Sequence, residues 1–154
     1  MNLRRSLRIS LVLLTVFFFA SVTDTSAQLR AELIESGFTR PLGIVPDPTS
    51  PDVLFILEQG GTIWPLVNGV RAAEPFLDLT QEVKVQNEQG LLGLAFAPDG
   101  ERVFVFWTKK RDPDLGIGDT IISRFRRSAG DPLKGDASVP RFDLVVPNPG
   151  SNLF

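Results

Sequence analysis

The feature that most constrains the fold is an internal repeat of short apolar segments. Residues 42–45 (LGIV) return as residues 92–95 (LGLA), and residues 53–57 (VLFIL) return as residues 103–107 (VFVFW). Both pairs lie 50 positions apart, and a Pro-Asp turn precedes the second segment in each copy. A period near this value, with a few short strands in each unit, is typical of repeat proteins whose units stack on one another.

The residues around these repeats predict short β-strands. Val, Ile, Leu and Phe are concentrated in short runs, and the 12 Pro and 13 Gly residues fall mostly between those runs. Tight turns are predicted at Gly60-Gly61 and Asn68-Gly69, and no segment after the N terminus shows a convincing helical period. The predicted strands are residues 29–36, 42–45, 53–58, 62–67, 91–95, 103–107, 120–125 and 142–146.

These strands predict an all-β fold made of β-propeller blades. Each blade is a small twisted sheet that buries its two apolar faces by stacking on neighbours, in a ring of about four to eight blades. The segment 28–154 is long enough for roughly two such blades at the observed period. A small β-sandwich with chance similarity between its strand pairs is the alternative. A two-blade chain leaves a sheet face uncovered, so we expect self-association through that open face.

The N-terminal segment, residues 1–27, predicts export. Arg4, Arg5 and Arg8 precede an apolar run at residues 9–20, and a short polar stretch then ends at Ala27. This order is typical of a helical secretory signal peptide that is cleaved after Ala27. A membrane anchor is the alternative, but a spanning helix needs about 20 apolar residues and this run is shorter. We therefore expect a periplasmic or extracellular protein without a stable membrane span.

The composition excludes several classes of site. The whole chain contains no His and no Cys. Disulfides, Ser–His–Asp and Cys–His catalysis, and zinc or haem sites built on His are therefore excluded within this sequence. The segment 1–27 contains three Arg and one Asp, so the segment 28–154 has 13 basic and 17 acidic side chains and a net charge of −4. Such a charge gives no electrostatic footprint for nucleic acid.

The motif most suggestive of chemistry is residues 87–99 (NEQGLLGLAFAPD). Gly90 and Gly93 bracket two leucines where a strand is predicted to begin. A close backbone approach at these glycines is the structural interpretation, since a loop carboxylate is usually solvated. In the functional interpretation, Glu88 lies on the loop that leads into the innermost strand of a blade and accepts a hydrogen bond from a substrate hydroxyl.

Residues 88–96 (EQGLLGLAF) resemble the signature of the glucose/sorbosone dehydrogenase family. The similarity continues on both sides of this motif and covers essentially residues 29–146. The further matching segments are residues 37–43 (GFTRPLG), 58–63 (EQGGTI), 76–79 (FLDL) and 120–127 (TIISRFRR). Each motif is moderately specific, and their order strengthens the resemblance.

The resemblance implies a six-bladed propeller that oxidises sugars in the periplasm with pyrroloquinoline quinone (PQQ) and calcium. Relatives also include non-enzymatic sugar-binding or signalling domains. We therefore expect residues 28–154 to form about the first two blades. In the glucose dehydrogenases of the family, a Gln at the substrate edge occupies the position that Glu88 matches. A Glu at this position still accepts a hydrogen bond, but it brings charge and cannot donate one when ionised.

The sequence departs from the family at the catalytic base. The family uses a His that follows an Asn or Asp shortly after the matched part, whereas this chain reads Asn152-Leu153 near its last residue and has no His. The residues that clamp PQQ and the calcium ligands belong to later blades in the family. No catalytic, cofactor or metal residue is therefore assigned, and we expect the chain to be inactive alone.

Several other groups of residues are interpreted as structural. Residues 109–111 (KKR) are expected to form a solvated loop tip, and Arg124 and Arg126 an exposed strand face. Trp64 and Trp107 are expected to be packing residues. The remaining candidates, Asp112, Asp114 and Asp119, lack the spacing and the bidentate Glu of an EF-hand calcium loop.

Three hypotheses follow for the function. The chain is the N-terminal portion of a PQQ-dependent sugar dehydrogenase, a non-catalytic propeller-type module that binds carbohydrate or protein, or the product of a truncated reading frame. The first predicts a continuation that contains His and basic cofactor-binding residues. The second predicts an oligomer that completes a ring, and the third predicts an insoluble or unfolded product.

Overall fold

The structure, a computed structural model, describes residues 29–110, 120–136 and 141–146. The predicted signal peptide lies outside these residues. The chain divides into two units, residues 1–32 and 33–154, and all strands belong to the second unit. Within the described residues this unit is all-β, without a helix. The described part of the chain accordingly has no helix long and apolar enough to cross a membrane.

The first sheet is antiparallel and follows the order of the chain. Its strands pair in the order β1, β2, β3 and β4, and the short β5 pairs with β3. A left-handed turn at Asn68 (φ 49°) and Gly69 (φ 80°) joins β3 to β4, as that dipeptide predicts. The strands are β1 (Pro41–Pro46), β2 (Val53–Glu58), β3 (Thr62–Val67), β4 (Val70–Arg71) and β5 (Leu77–Asp78).

The second sheet repeats this arrangement. Its four antiparallel strands pair in the order β6, β7, β8 and β9, and its first hairpin has the same irregularity as the first sheet. In β1 the register shifts between Pro41 and Gly43, and in β6 it shifts between Leu91 and Gly93. The strands are β6 (Leu91–Phe96), β7 (Arg102–Thr108), β8 (Thr120–Arg126) and β9 (Phe142–Val146).

The repeat spacing is 50 positions between equivalent residues of β1 and β6, but 49 positions between equivalent residues of β2 and β7. Gly43 and Gly93 are equivalent because each directly follows the register shift of its sheet. Their partners across the hairpin are Leu57 and Phe106, so Phe106 and not Trp107 is the equivalent of Leu57. The turn between the paired strands is thus one residue shorter in the second sheet. Aligning residues 53–57 with residues 103–107 was therefore wrong by one position, although the order of the strands was right.

Residues 29–36 do not form the strand that their apolar content predicted. They have no regular secondary structure, and Leu29, Leu33 and Ile34 are exposed. The prediction failed because an apolar run becomes a strand only where a neighbouring strand supplies hydrogen-bond partners. The other predicted strands are present.

The hydrophobic core lies between the two sheets. Phe55 and Leu57 of β2 and Val105 and Trp107 of β7 are buried in one cluster with residues of the connecting segment. Within this cluster, the ring centroids of Phe55 and Phe96 are 4.8 Å apart. Further members from the connecting segment are Phe76, Leu79 and Val83.

A buried ion pair ties the sheets together beside this core. Arg127, after β8, donates to Asp47, after β1, through Nη1–Oδ1 at 3.2 Å and Nη2–Oδ2 at 2.9 Å. The two side chains are only 8% and 3% exposed. The Arg127 guanidinium also lies 4.8 Å from the ring centroid of Phe96. The pair is therefore a contact between blades rather than a surface salt bridge.

No described residue covers the far face of the second sheet, as the two-blade interpretation predicts. We call its five exposed large apolar side chains the open face, and their exposed fractions range from 36% to 57%. Arg124 lies on the same face, with its guanidinium 5.5 Å from the ring centroid of Phe142. The open face consists of Phe104, Phe106, Phe142, Leu144 and Val146.

Candidate functional site

Three loops meet at one end of the sheets. Strands β1, β3 and β6 begin at this end and β2 ends there, because neighbouring strands are antiparallel. The loops are the residues before β1, the turn between β2 and β3, and the segment before β6. Arg40, Gln59 and Glu88 lie on these three loops.

The Gln59 side chain holds the loop that carries Glu88. Gln59 is 8% exposed, and its Nε2 donates to the carbonyl oxygens of Asn87 at 2.8 Å and Gln89 at 3.0 Å. Its Oε1 accepts a hydrogen bond from Arg40 Nη1 at 3.4 Å. The amide thus uses both hydrogens and its oxygen, and it fixes the backbone on each side of Glu88.

Gly90 allows this close approach. A Cβ at Gly90 would lie 2.5 Å from Gln59 Cγ and 2.7 Å from the Gln59 carbonyl oxygen. Another residue at this position would push the loop away from its support. Asn87 has a φ of 50°, a left-handed conformation that Asn tolerates better than most residues. The motif NEQG therefore encodes a tight loop, as the structural interpretation of its glycines predicted.

Glu88 lies exposed at the tip of this loop. It borders a shallow hollow with Lys84, Gln86, Asn87 and Gln89. Within the described residues, the Glu88 carboxylate has no hydrogen-bond or ion-pair partner. Its backbone is fixed on both sides by Gln59, so the loop presents a free carboxylate from a constrained position. The structure leaves open the prediction that this carboxylate contacts a substrate.

Sequence reasoning missed Gln59 and Arg40 as members of this site. Both belong to segments that matched the family, residues 58–63 and 37–43, but a match gives no side-chain contact. Gln59 lies 29 positions before Glu88. The available signal was the glycine pair that follows Gln59, which places the end of a strand at this position.

A second polar cluster lies beside the segment that connects the sheets. Arg141 binds Glu82 through Nη1–Oε1 at 2.8 Å and Nη2–Oε2 at 2.6 Å, and its Nε donates to Asp143 at 2.9 Å. Asp143 in turn accepts a hydrogen bond from Ser123 at 2.6 Å, and Ser123 accepts one from the buried Trp107 indole at 2.8 Å. This chain of bonds links three strands to the connecting segment.

The charges of this cluster satisfy one another. The hydrogen bonds from Arg141 hold the pKa of Glu82 below its ordinary value, although burial opposes the shift. The same hydrogen bonds raise the pKa of Arg141. Glu82 is therefore ionised at neutral pH and is not suited to act as a general acid or base. A hollow beside this cluster is lined by Phe76, Glu82 and Arg141. Its charged side chains are explained by the ion pair between Glu82 and Arg141.

The other predicted residues have the following positions. Trp107 is fully buried, and Trp64 is half-buried with its Nε1 donating to Glu58 at 3.1 Å, which agrees with packing roles. Arg124 and Arg126 are exposed on β8, as their alternation predicted. Lys109 and Lys110 are exposed as well, and Arg111 of the same predicted loop tip lies outside the described residues.

The candidate calcium ligands of the sequence, Asp112, Asp114 and Asp119, lie outside the described residues. The Asn152-Leu153 segment lies outside them as well. Among the residues that the structure describes, no three His, Cys, Asp or Glu side chains are grouped so that they could hold a metal ion.

No protein-family model and no curated protein matches this chain. Solved structures do match it. One is the crystal structure of an oxidoreductase described as a glucose dehydrogenase from Thermus thermophilus, with 23% identity and a TM-score of 0.58. The match covers 81% of this chain and 35% of that chain. Another is a glucose dehydrogenase with 20% identity and a TM-score of 0.58, where the match covers 74% of this chain and 31% of that chain.

These matches concern the fold. The chain spans about a third of the length of the solved structures that it matches. Identities of 20% and 23% do not carry an activity across, but the matching fold agrees with two stacked antiparallel sheets. The β-sandwich alternative is set aside, because each sheet repeats the same four-strand order along the chain. The described part of this chain has the fold of β-propeller blades.

Proposed function

We propose that this chain forms the first two blades, and part of the sugar-binding edge, of an exported PQQ-dependent sugar dehydrogenase. The observation that carries the proposal is the Glu88 carboxylate, which has no partner among the described residues, on a loop that Gln59 holds in place. The fold shared with two glucose dehydrogenases supports it, and so does the resemblance of residues 88–96 to the family signature.

Glu88 binds in this proposal by accepting a hydrogen bond from a sugar hydroxyl. An ionised carboxylate offers two acceptor oxygens and no donor, so it selects ligands that present O–H groups. Lys84, on the same hollow, offers a donor for a second sugar oxygen. The preformed loop lowers the conformational entropy that binding would otherwise cost.

The residues present do not fit the cofactors of the family. The described segments contain no metal-binding group of three side chains, and the sequence contains no His to take the hydroxyl proton. No oxidation step is therefore assigned to this chain. PQQ and calcium belong, in this proposal, to a full-length protein with further blades, and the chain alone binds sugar without oxidising it.

A second candidate is a non-catalytic module that binds carbohydrate, because a carboxylate that accepts a hydrogen bond from a sugar hydroxyl needs no catalytic base beside it. Both candidates bind sugar at the Glu88 loop. They differ in which polypeptide supplies the remaining blades of the ring. Sequencing the gene beyond codon 154 distinguishes them. A continuing frame with a His and later Arg and Lys residues supports the dehydrogenase, whereas a stop codon supports the binding module.

The sugar edge itself is tested by titrating the ¹⁵N-labelled chain with glucose and following the backbone amides by NMR. We expect the amides of residues 86–90 to shift, and we expect Glu88→Ala to weaken binding about tenfold, since a hydrogen bond to a charged group contributes roughly 1.5 kcal/mol. Glu101→Ala is the matched control, because Glu101 is an exposed carboxylate at the opposite end of the sheets. Shifts elsewhere only, or equal weakening by both variants, would exclude Glu88 as the binding group.

A further inference from the structure

The hollow at the Glu88 loop is lined by a positive charge as well as a negative one. Lys84 and Glu88 both line it, with three amide side chains between and beside them. Among the residues that the structure describes, neither the Lys84 ammonium nor the Glu88 carboxylate has an ion-pair or hydrogen-bond partner. Two opposite charges thus line one hollow without being paired to each other, so each is available to a ligand.

The backbone that carries Lys84 is held in place, as is the backbone that carries Glu88. The Lys84 N–H donates to the carbonyl oxygen of Thr108, the last residue of β7, at 2.8 Å. Lys84 itself is half-buried, and Val83 before it is only 1% exposed. Both charged side chains therefore extend from constrained backbone, which lowers the entropy that a ligand must overcome to bind them together.

A ligand that fills this hollow meets an acceptor at Glu88 and a full positive charge at Lys84. A neutral sugar satisfies Glu88 through a hydroxyl, but it brings no charge to Lys84. A sugar that carries a carboxylate satisfies both groups, because opposite full charges attract one another in addition to forming a hydrogen bond. The carboxylate and the ring hydroxyls of a hexuronate lie on different carbon atoms, so a hydroxyl can reach Glu88 while the carboxylate lies at Lys84.

The side chains around Lys84 favour an anion for the same reason. Lys109 and Lys110 follow the end of β7 directly and are exposed. The carboxylate nearest to Lys84 in the sequence, that of Glu82, is already paired with Arg141 at 2.6 Å. Lys84 therefore lies among positive side chains, and a group of like charges attracts a ligand of the opposite sign.

We infer that the hollow takes an acidic sugar of the hexuronate class, whose hydroxyl donates to Glu88 and whose carboxylate binds Lys84. The inference rests on the sugar edge of the proposed function and assigns Lys84 as the residue that selects the acid. Glu88 recognises the polyol, which a neutral sugar and an acidic sugar share, and Lys84 distinguishes the two.

Titrating the ¹⁵N-labelled chain with glucuronate and with glucose, at low ionic strength, tests the inference through the amides of residues 86–90. We expect glucuronate to bind about fivefold more tightly, which is the size of an ion pair at a partly exposed lysine. The preference should disappear in about 1 M sodium chloride, where the screening length is about 3 Å, whereas glucose binding should not change.

Three variants assign the preference to one charge. Lys84→Gln keeps a hydrogen-bond donor and removes the charge, so it should bind the two sugars equally. Lys84→Arg keeps the charge and should keep the preference. Lys109→Gln is the matched control, because it removes an exposed lysine that does not line the hollow, and it should also keep the preference.

The outcomes separate this inference from the sugar edge itself. Equal binding of both sugars by the wild-type chain, or a preference that Lys84→Gln retains, would overturn the acidic sugar and leave the sugar edge intact. Binding of neither sugar would overturn the edge and the inference together. If Lys84→Gln fails to fold, as its amide spectrum would show, the wild-type chain still decides: a preference for glucuronate that survives high salt would refute the role of the Lys84 charge.

Discussion

Replacing Arg127 with Ala is expected to lower the free energy of unfolding by about 3 kcal/mol. Arg127 and Asp47 join the ends of strands that are 80 positions apart in the sequence, and both side chains are almost completely buried. The substitution leaves the Asp47 carboxylate buried without its cation. It also removes a guanidinium that lies on the Phe96 ring.

The size of the expected loss in stability depends on which interactions Asp47 keeps when Arg127 is replaced. Breaking a buried ion pair from one side costs about 3 to 5 kcal/mol, because an uncompensated charge remains. Asp47 Oδ1 keeps hydrogen bonds of 2.8 Å from both the backbone N–H and the hydroxyl of Thr49, which soften the loss. Arg127 Nε is itself buried without a partner among the described residues, a defect that the Ala variant removes. Both effects place the expected loss at the lower end of the range.

Urea unfolding followed by tryptophan fluorescence measures the loss. Trp64 reports on the first sheet and Trp107 on the second, so the two sheets are observed together. Protein concentration is held constant, because self-association would stabilise the folded state. Arg102→Ala is the control: Arg102 pairs with Asp99 at 3.2 Å on the surface, and its loss is expected to cost less than about 1 kcal/mol.

The pH dependence gives an independent check. Burial alone would raise the pKa of Asp47, but the hydrogen bonds from Arg127 and Thr49 outweigh it and hold the pKa below its ordinary value. A lowered pKa contributes stability above the unfolded value of about 3.9, and that contribution is lost as the pH falls towards the folded value. The difference between wild type and Arg127→Ala should therefore narrow below about pH 4. Equal losses for Arg127→Ala and Arg102→Ala at pH 7 would refute the argument.

Three further substitutions test the loop and the second polar cluster. Gly90→Ala should destabilise the chain by about 2 kcal/mol in urea unfolding, because its Cβ has no room beside Gln59, and an unchanged midpoint would contradict the packing. Gln59→Met should speed amide exchange in residues 86–90 at least tenfold, since it leaves two loop carbonyls unpaired, whereas unchanged exchange would show that Gln59 does not hold the loop. Ser123→Ala should cost about 1 to 3 kcal/mol and move the Trp107 indole N–H signal, because that donor loses its acceptor. A signal that does not move would refute this hydrogen bond.

The sequence predicted the strands well because strand formation here is governed by local apolar content and turn chemistry. Val53–Glu58 and Thr62–Val67 have the predicted bounds, and the glycine pair between them forms the expected turn. The short strand Val70–Arg71 was not predicted, because so short a strand gives no periodic signal. Residues 29–36 failed for the opposite reason: they are apolar enough for a strand but pair with no strand among the described residues.

The contacts between the sheets could not be predicted from the sequence. Asp47 follows a predicted strand in a turn rich in Pro and Asp, where a carboxylate is ordinarily solvated. Only the folded chain brings it to Arg127, which lies two positions beyond the predicted strand at residues 120–125. The Gln59 support escaped notice for the same reason, because its partners are backbone carbonyls and carry no residue-type signal.

Asp47, Glu82 and Glu88 differ in whether another residue of the protein binds the carboxylate. Asp47 and Glu82 each face an arginine at hydrogen-bond distance, and both have a lowered pKa. Such groups stay ionised at neutral pH and stabilise the scaffold. Glu88 differs, because the protein holds its backbone in place but offers its carboxylate no partner within the described residues. Among the described residues the Glu88 carboxylate therefore makes no contact that stabilises the fold, which is why a ligand hydroxyl is the interpretation we favour for Glu88.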